Sequence, residues 1–331
     1  MIKPQFNYMI GPSTYIMIEM GARYVPCMKN LKEIQGDASL DLTKGPFLCP
    51  NATSTDDICP LSVACGFGGN TPDPDGTGDA DQDPRPNQWW RFIVPMFMHA
   101  GLIHIAFNML LQMTLGREME QAIGSIRYGL VYVSAGIFGF VMGGVLSAPF
   151  QAVIGASGSI FGIIALTLLD LLYSWKDRKS PVKDLLFIVV DIVISFVLGL
   201  LPGLDNFSHI GGFLMGLALG ISVLHSPNSL RQRIGQDIAY STVPEGSDQG
   251  PQPFLNNPVG FFKGRRPLWW VWWLVRAGSL VLVIIVFSVL LNTFYTTDEE
   301  VCSWCKYLSC LVSPRLSLPL LTMWWIGLAN C

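Results

Sequence analysis

Residues 154–162 read IGASGSIFG, and this run opens one of the most apolar stretches of the chain. Helices that cross a bilayer carry Gly, Ala and Ser where another helix packs closely against them. Ser157 is therefore either a packing residue or a nucleophile. The choice depends on whether a base and hydrogen-bond donors for a developing negative charge occur at the same depth.

Depth has meaning here because the composition is that of a membrane protein. The 331 residues are 50% hydrophobic and only 14% charged, whereas a soluble domain is about a quarter charged. A net charge of −3 points to no nucleic-acid partner. Six apolar stretches, at roughly 101–116, 128–147, 153–175, 185–201, 207–225 and 268–291, predict an all-α membrane protein. The expected form is a polytopic helical bundle with six transmembrane helices in contact with the lipid bilayer. No such run occurs over 1–88. Tyr8–Met20 is apolar, but Gly11, Pro12 and Ser13 break it and it carries Glu19, so it reads as an interfacial segment. No charged-then-apolar signal peptide pattern follows Met1.

The connecting charges orient the spans. Lys176, Arg178, Lys179 and Lys183 lie in one loop, and Arg231, Arg233, Lys263, Arg265 and Arg266 in another. The alternate connections, SAPFQ and PGLDNF, contain no Lys or Arg. Basic loops stay cytosolic, which puts both ends of the chain on the lumenal face. The glycosylation acceptor Asn51-Ala52-Thr53 falls on that side, and the acidic stretch at 70–88 has a disordered composition. All eight cysteines lie outside the spans: Cys27, Cys49, Cys59 and Cys65 early, then Cys302, Cys305, Cys310 and Cys331. Even numbers in two polar segments predict disulfides in an oxidising compartment. The Cys302–Cys305 spacing also suits zinc, but no second close pair accompanies it, so neither a metal nor a cofactor is expected. The Trp cluster at 269–273 reads as an interfacial belt at the cytosolic start of the last span.

The first, third and fifth spans enter from the lumenal face. His104, Asn108, Ser157 and His209 lie a few residues inside them, a layer roughly 4–10 Å deep at ~1.5 Å per residue. His104 and Asn108 are i and i+4 and share a helix face. Any one of these polar residues is accounted for by a hydrogen bond between helices. Four at one depth are better explained by chemistry, because polar groups within spans face the bundle interior or a wet cavity. Ser157 and His209 can form a nucleophile–base pair. His104, Asn108 and the Ser157 backbone N–H can donate to an oxyanion. Asp170 and Asp191 suggest an ion-coupled transporter, yet no inverted repeat or pair of broken spans supports one.

With these residues in hand, the chain resembles the rhomboid family of intramembrane serine proteases. Gly155-Ala156-Ser157-Gly158 resembles the nucleophile motif, and His209, Gly212 and Gly216 fit HxxGxxxG with His209 as base. His99, His104 and Asn108 fit HxxxxHxxxN, in which the second His and the Asn line the oxyanion hole. Trp90-Arg91 resembles the pair in the first lumenal loop, and Glu120-xxx-Gly124 the motif after the next span. Phe161 stands where many relatives carry a Tyr that stacks on the catalytic His, and the ring is kept without its hydroxyl. Gly212 and Gly216 suit close approach to another helix, and His99 precedes its span and caps the cavity.

The resemblance implies a serine endopeptidase that cleaves single-span transmembrane protein substrates in or near the bilayer. It is of the six-plus-one type found in the secretory pathway (Golgi, ER or plasma membrane). The alternative is a catalytically inactive rhomboid-like protein that binds or chaperones membrane clients, a class that typically lacks the Ser or the His. The expected organisation is a lumenal loop at 1–88, a catalytic core at 89–225, a cytosolic linker at 226–267, an additional helix at 268–291 and a lumenal Cys-containing tail at 292–331. The resemblance also implies a span ahead of the long first lumenal loop. The expectation is that this chain starts inside that loop.

Overall fold

A computed structural model describes residues 7, 9–31, 47–49, 58–59, 61–66, 87–199, 204–228, 230, 267–297, 301–302, 304–305 and 308. Asn51, Arg231, Arg233, Lys263, Arg265, Arg266, Cys310, Cys331 and most of the acidic stretch lie outside these residues. Helix α1 (Thr14–Met20) occupies part of the expected interfacial segment; Ser13 caps it by accepting the Ile16 N–H at 3.4 Å. Helix α2 (Leu102–Leu111) runs through a π-helical turn, Gln112–Gly116, into α3 (Arg117–Ile123). Then follow α4 (Ser125–Leu146), α5 (Ser157–Tyr173), α6 (Pro181–Leu198), α7 (Asn206–Val223) and α8 (Pro267–Thr296).

Among the described residues three helices, α4, α7 and α8, are long and apolar enough to cross a membrane. They correspond to the expected spans 128–147, 207–225 and 268–291. The other three expected spans fall on helices that are shorter or more charged. Helix α2 has 10 residues before its π turn, and α6 carries Lys183, Asp184 and Asp191 within its 18 residues. Helix α5 is apolar but has only 17 residues. The chain is not helical through 153–156, because Val153 makes an antiparallel bridge with Arg23 and Gly155 takes φ +130°. A side chain rarely tolerates that φ, so the helix begins at Ser157. Ser157 thus opens its helix, where an unbroken helix over 153–175 would have placed it a turn farther in.

A second departure from the all-α expectation is a short antiparallel pair, β1 (Phe47–Leu48) and β2 (Ile58–Cys59), beside the Cys49–Cys59 disulfide. Disulfides also join Cys27 to Cys65 and Cys302 to Cys305, so the CxxC pair is closed on itself.

The core is α4, α5 and α7. Helices α5 and α7 run parallel, with Gly212 on Gly158 and Gly216 on Gly162. A Cβ at Gly216 would sit 2.5 Å from the Gly162 Cα, and one at Gly212 would overlap the Gly158 carbonyl. Backbone contact of this kind gains dispersion energy, which drives helix association where no water is expelled. Helix α8 is fastened to α7: Ser279 donates to the Ala218 carbonyl at 2.6 Å, and Arg276 to the carbonyls of Ser222 and Leu224 near the C-terminus of α7.

Candidate active site

The backbone that starts α5 builds the first half of the site. Residues at the start of a helix have N–H groups without intrahelical partners, and Ser157 is the first residue of α5. Its side chain and its backbone donor therefore both lie at the start of that helix. The second half comes from α7, which Asp205 caps by accepting the Phe207 N–H at 2.9 Å. His209 is the fourth residue of that helix. Its Nε2 lies 2.8 Å from Ser157 Oγ, within the reach that proton transfer between such groups needs.

The imidazole is 3% exposed. Phe161, one turn beyond Ser157, stacks on it at 4.5 Å between ring centroids and 12° between planes. Phe196 packs edge-on against both rings. His209 Nδ1 has no hydrogen-bond partner among the described residues, and among them the ring is oriented by stacking.

His104 and Asn108 lie on α2 beside this pair and both are buried. His104 Nδ1 accepts the backbone N–H of Ala100 at 3.1 Å, which places the proton of the neutral imidazole on Nε2. That nitrogen faces the bare Gly155: a Cβ there would lie 2.9 Å from His104 Nε2 and 3.7 Å from Ser157 Oγ. Gly155 thus brings bare backbone against the His104 ring, where a side chain would clash, and Ser157 Oγ and His104 Nε2 flank the same glycine, a pairing of hydroxyl and donor of the kind an oxyanion site needs. Asn108 spends one amide hydrogen on the His104 carbonyl at 2.8 Å and keeps a second. The His99 ring stands 5.3 Å from that of His104, at 70°, and its Nε2 is buried without a partner among the described residues.

Trp90 and Arg91 are held apart from these groups. Arg91 is 1% exposed and donates to the carbonyls of Ile18 at 2.7 Å, Ala22 at 2.6 Å and Cys65 at 3.0 Å, and to Gln88. Burial pushes its guanidinium down to about 10, so it stays charged at neutral pH. It braces the C-terminal end of α1, where a cation suits the helix dipole. Trp90 is partly exposed.

Sequence reasoning missed two residues. Arg23 and Asp205 form an ion pair, Nη2 to Oδ2 at 3.1 Å, with both side chains 0% exposed. Asp205-Asn206 ahead of an apolar run is a helix-start signal, so Asp205 was within reach. Nothing local marks Arg23 as its partner.

The Rhomboid domain family matches residues 86–226. Rhomboid-type serine protease 2 of Emericella nidulans is 52% identical over 325 residues, covering 93% of this chain and 64% of that protein. RHOMBOID-like protein 6, mitochondrial, of Arabidopsis thaliana is 31% identical over 279 residues, 83% of this chain and 78% of the relative. Inactive rhomboid protein 1 of Danio rerio is 30% identical over 208 residues, 60% of this chain and 22% of its own length. The chain belongs to the rhomboid family. Family and apolar helices together make it an integral membrane protein. It spans 64% of the length of the Emericella relative and 55% of another, RHOMBOID-like protein 4 of Arabidopsis thaliana.

Proposed function

We propose that this protein is a rhomboid-type intramembrane serine endopeptidase acting on single-span membrane proteins. The observation that carries the reading is the 2.8 Å contact between Ser157 Oγ and His209 Nε2, with His104 against Gly155 beside it. His209 takes the Ser157 hydroxyl proton as the oxygen attacks the scissile carbonyl, and returns it to the leaving amine. His104 Nε2–H, the free Asn108 N–H and the Ser157 backbone N–H receive the developing oxyanion. Loss of one such donor typically costs ~2.7–4 kcal/mol of transition-state stabilisation.

The proposed topology keeps six spans, with α2–α3, α5 and α6 completing the three longer helices. The basic loop 176–184 is cytosolic, and the cysteine-bearing ends and Asn51 are lumenal. The proposed organisation is the one expected above, in a membrane of the secretory pathway. Substrates with Gly, Pro or polar residues near the lumenal end of their helix suit the site, since those residues let the backbone unwind for attack.

The test uses the full chain in proteoliposomes with a single-span substrate, comparing wild type with Ser157→Ala. Cleavage by wild type alone supports the reading. Product from neither overturns it in favour of a catalytically inactive rhomboid protein, and equal product from both removes Ser157 as the nucleophile.

A further inference from the structure

Helices α5 and α7 meet backbone to backbone at Gly158–Gly212 and Gly162–Gly216, and farther along Leu166 and Leu169 pack over Gly220. At the end that carries Ser157 the contact is between glycines, and the side chains that interlock lie deeper in the core. Yet Ser157 and His209 must stay within about 3 Å for the proton to move. A tie at this end of the helices would hold their relative height.

The Arg23–Asp205 pair reaches both partners. Arg23 is bonded through its backbone to Val153, N to O at 2.9 Å and 3.0 Å in the two directions. Val153 stands two residues before Gly155 and four before Ser157 in the segment that launches α5. The Asp205 carboxylate organises the first turn of α7. One oxygen accepts from Phe207 N at 2.9 Å and Ser147 Oγ at 2.6 Å; the other accepts from Ser208 Oγ at 2.8 Å and Arg23 Nη2 at 3.1 Å. The Asp205 carbonyl in turn accepts the His209 N–H at 3.3 Å. Arg23 Nε and Nη1 find no partner among the described residues, so Asp205 is the anion that holds this guanidinium.

We infer that Arg23 and Asp205 are positioning residues for the Ser157–His209 pair, locking the segment that carries the nucleophile to the helix that carries the base. The inference rests on the proposed dyad. A buried ion pair adds little stability over a well-packed apolar pair of the same size, so stability alone is a weak reason to build one. A fixed register at the dyad is a sufficient reason, because a misplacement of ~1 Å can cost about 10²-fold in rate.

The test measures the full chain in detergent, scoring the rate at which a fluorophosphonate modifies Ser157, then kcat and KM on a single-span substrate. All rates are normalised to the folded fraction. Arg23→Met/Asp205→Asn removes both charges and keeps an amide oxygen to accept the Phe207 N–H. The expected result is a melting temperature near that of wild type, with KM within about twofold. Labelling rate and kcat fall together by about 10- to 100-fold. A merely structural role moves the melting temperature and leaves the labelling rate per folded molecule unchanged, and that outcome overturns the inference. Arg23→Lys keeps the charge and the fold but replaces the planar fork with a point donor. It is expected to show the same split at about three- to tenfold, and wild-type rates from it overturn the inference even where the double variant fails to fold. Ser157→Ala run alongside separates the two readings. Wild type no faster than Ser157→Ala removes the dyad and this inference with it. Wild type faster, with the double variant equal to it, removes only the positioning role.

Discussion

Two carboxylates make ion pairs at opposite ends of the α5–α7 core, and their surroundings differ. Asp205, at the start of α7, is paired with Arg23 where neither side chain meets solvent. Asp170, toward the far end of α5, binds Arg178 at 2.6 Å and His225 Nε2 at 3.1 Å, with those partners 45% and 41% exposed. The chemistry is the same and the consequence is not. A buried charge that loses its partner has nothing to replace it. An exposed one exchanges its partner for water and counterions. The end of the core that carries Ser157 and His209 is therefore unforgiving, and the opposite end is tolerant.

Substitutions can break that contrast. The largest effect on activity is expected from His209→Ala, which removes the proposed base at the unforgiving end. Cleavage of a single-span substrate in proteoliposomes should fall to the Ser157→Ala background, and retained turnover would place the base elsewhere. Arg23→Ala should be the most damaging to stability. Stranding Asp205 in a buried site costs about 3–5 kcal/mol, read as a lowered thermal midpoint or denaturant resistance in detergent. A loss below about 1 kcal/mol would show that water reaches the pair.

Asn108→Ala is next. It removes one donor of three, so turnover should drop about 10²- to 10³-fold without vanishing. A loss as complete as that of Ser157→Ala would mean that its bond to the His104 carbonyl matters more than its free N–H. The smallest effect is expected at the tolerant end. Arg178→Ala should cost no more than about 1 kcal/mol and leave cleavage unchanged. A loss comparable to that of Arg23→Ala would erase the contrast between the two ends.

Much of the candidate site was legible because its residues carry local marks. Ser157 sits in a run of small residues, His104 and Asn108 are one helical turn apart, and Gly212 and Gly216 repeat at the spacing of a helix face. Each mark is a short-range pattern, and short-range patterns survive in one dimension. Helix boundaries were less legible. Reading 153–175 as one apolar span took no account of Arg23, whose backbone holds Val153 extended and delays α5 to Ser157. Counting apolar residues also passed over the π turn after α2.

From the order of residues alone came the membrane class and the polar layer, because composition and periodicity report how much apolar surface a segment must hide. The family resemblance came from motifs, and the expectation of disulfides from where the cysteines lie. The pairing of Cys27 with Cys65, the tautomer of His104 and the meeting of Arg23 with Asp205 across 182 residues came only with the folded chain. The reason is physical. A charge or thiol does not record its partner in its own neighbourhood; packing chooses that partner when it brings distant segments together and excludes water from between them.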